Sequence, residues 1–326
     1  MTEDGQTSGA VSARVSVSPS LLYSGEVPPQ TPPPRTPLNE AAWRNIAITL
    51  AVILLIGSGG VVIFWPKSAP TGVLLAPSPP ADPSSAAAAP TPPGAPSGVP
   101  MPGEIPGWKQ TFADDFTGNL DKWGVYEGQP GGDPGGWFLP SHVEINDGKL
   151  VIKAYKENTP NGNIYATGGL NNGSTFSQTY GRFEFRFRMD EGYGIAFVFL
   201  LWPASDQWPP EIDIAEDDGL SRSLLTSTLH YGTPGNRETE HRRIEGVDFT
   251  QWHTVGLDWS PGRLEFRLDG EVWSTIESDR VPDEPMVMAI QTQAWYCDGY
   301  WSDCPNSTTP PLVNLEVDWA VAYARA

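Results

Sequence analysis

Residues 182–189 read Arg-Phe-Glu-Phe-Arg-Phe-Arg-Met, and this stretch decides the fold class. Phe183, Phe185, Phe187 and Met189 fall on one side of a period-two pattern, with Arg and Glu on the other. Successive side chains of a strand point to opposite faces, so the stretch is a strand with one apolar face. Working outward, Lys149 to Tyr155 (KLVIKAY) follows an Asp147-Gly148 turn. Arg263 to Leu268 and Glu271 to Thr275 flank Asp269-Gly270, the signature of a tight hairpin. Pro285 to Ala294 and Val313 to Tyr323 add two long strands, and no long segment after Trp108 has helical periodicity. So many short strands predict an all-β sandwich over 107–326 rather than an α/β fold.

The chain before that domain is of another kind. Asn45 to Trp65 (NIAITLAVILLIGSGGVVIFW) contains no charge, and about 20 apolar residues span a bilayer as a helix. Arg14, Arg35 and Arg44 precede it and only Lys67 follows before Lys109, so the positive-inside rule puts the N-terminus in the cytoplasm. A 44-residue leader is long for a cleaved signal peptide, which favours an uncleaved signal anchor. Residues 1–44 are Pro/Ser/Thr-rich and predict a disordered cytoplasmic tail. Residues 66–106 are Pro/Ala-rich and predict a semi-stiff linker. The expectation is a single-pass membrane protein, monomeric, with its folded domain outside the cytoplasm.

A formal charge of -19 argues against nucleic acid, because phosphate contacts need a Lys/Arg surface. It also suits a neutral ligand better than an anionic one. The two cysteines, Cys297 and Cys304, are too few for a disulfide framework or a four-cysteine metal site. They predict one loop-closing disulfide outside the cytoplasm, the alternative being two free thiols.

Glu211-Ile-Asp-Ile-Ala-Glu216 carries the chemistry. Glu211 and Asp213 share a strand face, with Ile212 and Ile214 turned to the core. Glu216 would fall on the opposite face of a regular strand, and a β-bulge restores it to the side of Glu211. Three carboxylates in a row repel, which is costly without a use. A retaining glycosidase needs one carboxylate as nucleophile and one carboxylic acid to protonate the leaving oxygen, roughly 5–5.5 Å apart. A third acidic group between them orients the nucleophile and, through like-charge coupling, holds a proton in the cluster. By spacing alone, a solvated acidic edge or an oxygen-ligand metal site fits as well.

The context of the triplet separates these readings. Tyr180-Gly-Arg-Phe-Glu184, the Trp208-Pro-Pro lead into EIDIAE, His253-Thr-Val-Gly-Leu-Asp-Trp259 with Asp269-Gly270, and Val317-Asp-Trp-Ala-Val-Ala-Tyr323 occur in this order. Together they resemble glycoside hydrolase family 16, in its bulged branch of laminarinase-like endo-β-glucanases. The resemblance implies a concanavalin-like jelly roll with a groove for a polysaccharide. It implies Glu211 as nucleophile, Glu216 as acid/base and Asp213 as the orienting residue, with no required cofactor. It also implies a structural calcium, with Asp318 in the position of the family's aspartate ligand. One departure stands out. Where many members carry a Trp-Pro-Ala-Phe-Trp run, Gly194 to Trp202 here has Ala196 and Leu200 in place of the two tryptophans.

Sugar rings stack on aromatic faces, and Trp137, Trp202, Trp208 and Trp295 are the candidates for that contact, with core packing as the alternative. Gln291 and Gln293 alternate onto one strand face beside Trp295, and an amide both donates and accepts to hydroxyls. His230 follows the triplet by one strand and is placed to reach the leaving-group side. The expected activity is endo-hydrolysis of a β-glycosidic bond, first of β-1,3-glucan. Transglycosylation, another envelope or exopolysaccharide glycan such as a galactan or mixed-linkage glucan, and a non-catalytic lectin-like module are the alternatives.

Overall fold

A computed structural model describes residues 96–297 and 302–326. The expected cytoplasmic tail, the membrane span at 45–65 and most of the linker lie outside the described residues.

In chain order the strands are β1 (Trp108–Asp114), β2 (Gly124–Val125), β3 (Val143–Asn146), β4 (Lys149–Thr159), β5 (Gly162–Ala166) and β6 (Gly169–Asn171). Then come β7 (Gly181–Met189), β8 (Ile195–Pro203), β9 (Glu211–Glu216), β10 (Leu224–Thr233) and β11 (Asn236–Glu245). The last are β12 (His253–Ser260), β13 (Arg263–Leu268), β14 (Glu271–Glu277), β15 (Met286–Ala294) and β16 (Leu312–Arg325). They form two antiparallel sheets. The nine-stranded sheet runs β14-β13-β12-β7-β16-β4-β3, with β1 on β16 and β5 on β4. The seven-stranded sheet runs β11-β10-β9-β8-β15-β6-β2.

The alternation that predicted β7 is what joins the sheets. Phe183, Phe185 and Phe187 are fully buried and meet the inward residues of β8. Ring centroids lie 5.0 Å apart for Phe185–Phe199, 4.4 Å for Phe187–Phe199 and 4.8 Å for Phe187–Phe197. Such pairs add about 0.5–1.5 kcal/mol each beyond area burial. Both predicted Asp-Gly turns have positive φ at both residues, 51° and 68° at 147–148 and 50° and 88° at 269–270. That backbone follows the twist of the flanking strands. The disulfide expected between Cys297 and Cys304 is formed. Gly194 is needed beside it, because φ is +80° and a Cβ would lie 2.1 Å from the Pro305 nitrogen.

The boundary expected at residue 107 moves toward the N-terminus. Residues 97–105, read as linker, pack on the outer face of the nine-stranded sheet. Met101 and Ile105 cover Trp108, Trp319, Val321 and Tyr323. Trp319 Nε1 donates to the Val99 carbonyl at 3.2 Å, and the Tyr323 hydroxyl donates to Pro102 O at 2.9 Å. Proline content alone reads as free chain, but here the carbonyls of Val99, Pro102 and Gly103 find donors from β16.

This arm also reaches Asp318, where the resemblance implies calcium. The Asp318 carboxylate is buried and accepts hydrogen bonds from the Ser97 amide, at 3.1 Å, and from the Ser97 hydroxyl. Arg186 Nε donates to the same hydroxyl oxygen at 3.3 Å, placing a guanidinium beside the group. Among the described residues no other acidic or histidine side chain joins Asp318 in a set able to hold an ion. Calcium takes several oxygen ligands, backbone carbonyls among them, so an ion at Asp318 would have to displace the Ser97 hydrogen bonds.

Candidate active site

The bulge required by the sequence is present in β9. Leu201 and Leu200 of β8 pair with Ile212 and Asp213, and the next pair is Phe199 with Ala215, so one residue of β9 is extra. The skip recurs on the other side, where Thr228 faces Asp213 and Thr226 faces Glu216. Ile212, Ile214 and Ala215 turn into the core. Glu211, Asp213 and Glu216 share the outer face of the seven-stranded sheet. Asp213 is buried, and the two glutamates are half-buried.

Different donors reach each carboxylate. Trp208 Nε1 donates to Glu211 Oε2 at 2.7 Å. His230, paired with Glu211 in the ladder, places Nε2 at 2.8 Å from Asp213 Oδ2. Glu216 accepts no hydrogen bond among the described residues. Burial and the neighbouring Asp213 charge push Glu211 up to about 8, opposed by His230 and by the Trp208 hydrogen bond. Burial, then Asp213, Glu211 and Asp217, push Glu216 well above the usual carboxylate range. The cluster therefore titrates as a unit and keeps a proton near neutrality. A donor reaches Glu211 and none reaches Glu216 among the described residues, so the retained proton belongs on Glu216. Burial alone would lower the pKa of His230, but its hydrogen bond to Asp213 and the charges of Asp213 and Glu211 raise it on balance.

Asp217 follows the triplet and serves the scaffold. It is fully enclosed, accepts from Phe197 N at 2.8 Å and pairs with Arg222. Arg222 also donates to Asp190 O at 2.9 Å and Ile195 O at 2.6 Å, tying the end of β9 to the start of β8. Burial still pushes Asp217 up to about 6.

Of the expected sugar-binding residues, Trp208 and His230 stand together, ring centroids 6.1 Å apart, beside Glu211 and Asp213. Trp202 lies on the outer face of β8 and donates to Asp206 Oδ1 at 2.8 Å. It packs on Val198, Leu200 and Ala289, an apolar patch that replaces the missing tryptophan platform. Gln291 and Gln293 occupy the outer face of β15, opposite Val198 and Ala196. Trp295 continues that strand, its amide donating to Gly194 O at 3.0 Å. Trp137 sits on the loop after β2, where Gly135 packs on Tyr296. These two tryptophans thus belong to the β15–β6–β2 side of the sheet.

Tyr126 and Asn171 escaped sequence reasoning. The Asn171 amide donates to the Tyr126 hydroxyl at 3.2 Å. The ring lies over Gly169, where a Cβ would come within 2.6 Å of it and 2.8 Å of Gln291 Cβ. Burial, with the charges of Glu211 and Asp206, pushes Tyr126 up to about 12, so it remains a phenol. It follows a strand only two residues long, which carries no periodicity to read.

One side-chain set could bracket an ion, since ligand atoms of Glu211, Asp213 and His230 lie within 4.8 Å of one another. The Trp208 and His230 N–H groups already occupy lone pairs that a cation would use. Acid–base and nucleophilic chemistry therefore suits the set better.

The sequence model described as glycosyl hydrolases family 16 matches residues 137–321. An endo-1,3-1,4-beta-glycanase, ExsH, of Rhizobium meliloti (strain 1021) is 27% identical over 185 residues, covering 55% of this chain and 39% of that protein. A glucan endo-1,3-beta-glucosidase of Cryptopygus antarcticus is 30% identical over 153 residues, covering 41% of this chain and 54% of that protein. The chain thus spans about half the length of these relatives, or less. The structure of endo-beta-1,3-glucanase from Pyrococcus furiosus superposes with a TM-score of 0.61 at 25% identity, covering 70% of this chain and 99% of that one. With the bulged triplet, the two-sheet architecture and this match in hand, the chain belongs to glycosyl hydrolase family 16.

Proposed function

We propose that the domain is a retaining endo-β-glycosidase that cleaves internal bonds of a β-glucan, first among them β-1,3-glucan. The carrying observation is the bulge, which sets Glu211, Asp213 and Glu216 on one face with hydrogen-bond donors on the first two only. Glu211 attacks the anomeric carbon while Glu216 gives its proton to the departing glycosidic oxygen. The glycosyl ester on Glu211 is then opened by water, whose proton returns to Glu216. Two inversions leave the configuration unchanged. Asp213, held by His230, orients Glu211 and its charge keeps the proton on Glu216 until transfer. The reaction needs no cofactor. The activities for which the relatives are named, on 1,3- and 1,3-1,4-linked β-glycans, support this substrate class.

Incubating the full chain with a panel of β-glucans and galactans, reading reducing ends and product sizes, tests this. Mid-chain fragments from β-1,3-glucan are expected, and no new reducing ends from any polymer would overturn it. The domain is further proposed to work as a monomer outside the cytoplasm, anchored by the apolar segment at 45–65. The Cys297–Cys304 disulfide supports an oxidising compartment. Membrane fractionation followed by protease treatment of intact cells tests the anchor. Loss of the domain to external protease is expected, and a chain wholly in the soluble fraction would contradict it.

A further inference from the structure

Cationic residues are unevenly placed on the seven-stranded sheet. Strands β2, β6, β8, β9, β10 and β15 carry neither Lys nor Arg, whereas β11 carries Arg237, Arg242 and Arg243. The ladder sorts them by face. Arg243 pairs with Thr226, His241 with Thr228 and Thr239 with His230. Thr226, Thr228 and His230 in turn pair with Glu216, Asp213 and Glu211. Each rung that begins at a carboxylate of the triplet therefore ends, two strands away, in Arg243, His241 or Thr239. At about 4.8 Å per strand the separation is roughly 10 Å. Arg237 stands one rung further, its guanidinium carbon 5.5 Å from the Trp208 ring centre. Arg237, Thr239, His241 and Arg243 are exposed on this face, while Arg242 turns away and donates to Thr275 O at 3.2 Å.

Strand β11 is a sheet edge, and charges on edges guard against pairing with other chains. That role accepts either sign. Here the outward side of β11 sets two arginines against one glutamate, Glu245, in a chain of formal charge -19. Only Arg243 is compensated there, by Glu245 at 3.0 Å, and Arg237 has no ion pair among the described residues. A guanidinium beside an indole face, at the end of a sugar-binding surface, offers a fork that matches an oxyanion.

We propose that the β11 side of this surface binds an anionic group borne by the polysaccharide, a sugar carboxylate or a sulfate ester. The neutral stretch of the chain crosses β9, where acidic neighbours would repel charge. Arg237 and Arg243 are the direct partners, with His241 between them. The domain then favours an acidic polysaccharide over a plain glucan, against the expectation from net charge. This rests on the endo-glycosidase reading for the placement of the polymer, but not for its test.

The test uses the full chain carrying Glu216→Gln, so that binding is read without cleavage. Retardation is compared in gels containing β-1,3-glucan, the same polymer partly oxidised to carboxylates at C6, and the same polymer partly sulfated. Tighter binding to at least one charged polymer is expected, and the one preferred identifies the group. The preference should shrink about five-fold in Arg237→Gln/Arg243→Gln, return in Arg237→Lys/Arg243→Lys, and weaken as salt rises. Equal binding to all three polymers, or a preference that ignores the double variant, overturns the proposal. Selective binding by a chain whose Glu216 form cleaves nothing would sink the endo-glycosidase reading alone. Cleavage of neutral glucan without selective binding would sink this proposal alone.

Discussion

On the outer face of the nine-stranded sheet, Arg182 meets Asp258 through hydrogen bonds of 2.5 and 2.6 Å, and Arg267 reaches the same carboxylate at 3.4 Å. On the outer face of the seven-stranded sheet, three carboxylates share β9, and no Lys or Arg pairs with them among the described residues. Both faces hold half-buried or buried charge, but only the first sets guanidiniums against it. Pairing removes the cost of burial and leaves nothing for chemistry. Crowding like charges keeps that cost and stores it as raised pKa values, which a general acid needs. The same alternating strands thus build a scaffold face and a reactive face, separated by a core of phenylalanines.

The contrast is tested most strongly by removing charge from each face. Glu211→Gln and Glu216→Gln should each lower turnover on β-glucan at least ~10³-fold with far-UV circular dichroism unchanged. Near wild-type turnover by either would end the division of roles. Asp258→Asn should do the reverse, costing about 3 kcal/mol in urea unfolding with kcat little altered, because Arg182 and Arg267 lose their shared partner. A stable Asp258→Asn protein would show that the nine-stranded face is not held by its ion pairs.

A subtler expectation concerns pH. The folded pKa of Glu216 lies above its unfolded value, so the folded state binds more protons in that window. Stability then falls as pH rises through it, and the cost is full once the folded group ionises. Glu216→Gln should remove that cost, raising stability at pH 8 and changing it by almost nothing below pH 4. Equal gains at both pH values would contradict a raised Glu216. Smallest is the effect expected of Trp208→Phe, which keeps the ring but removes the N–H donor to Glu211. The acidic limb of kcat/KM should move up by about one pH unit, since Glu211 must ionise to attack. An unmoved limb would assign it to another group.

Much of this was legible locally. The alternation at 182–189, the Asp-Gly turns and the five-residue gap in EIDIAE each depend on neighbours in sequence, and each reappears in the ladder. Tyr126 and Asn171 did not show, because their place beside Gln291 depends on which strands lie side by side. The arm at 97–105 was hidden for another reason, since Pro/Ala-rich chain reads as linker until buried donors such as Trp319 Nε1 meet its carbonyls. The β11 cations were equally silent. Asn236 to Arg243 is polar throughout, and only pairing with β10 tells which side chains face the triplet.

The roles on β9 are the central claim, and azide rescue of the two alanine variants tests them most directly. With an activated aryl β-glucoside oligomer, Glu211→Ala plus azide should yield the α-glycosyl azide, azide having taken the nucleophile's place. Glu216→Ala plus azide should yield the β-glycosyl azide, formed from the ester on Glu211. The opposite assignment of anomers to the two variants would contradict it.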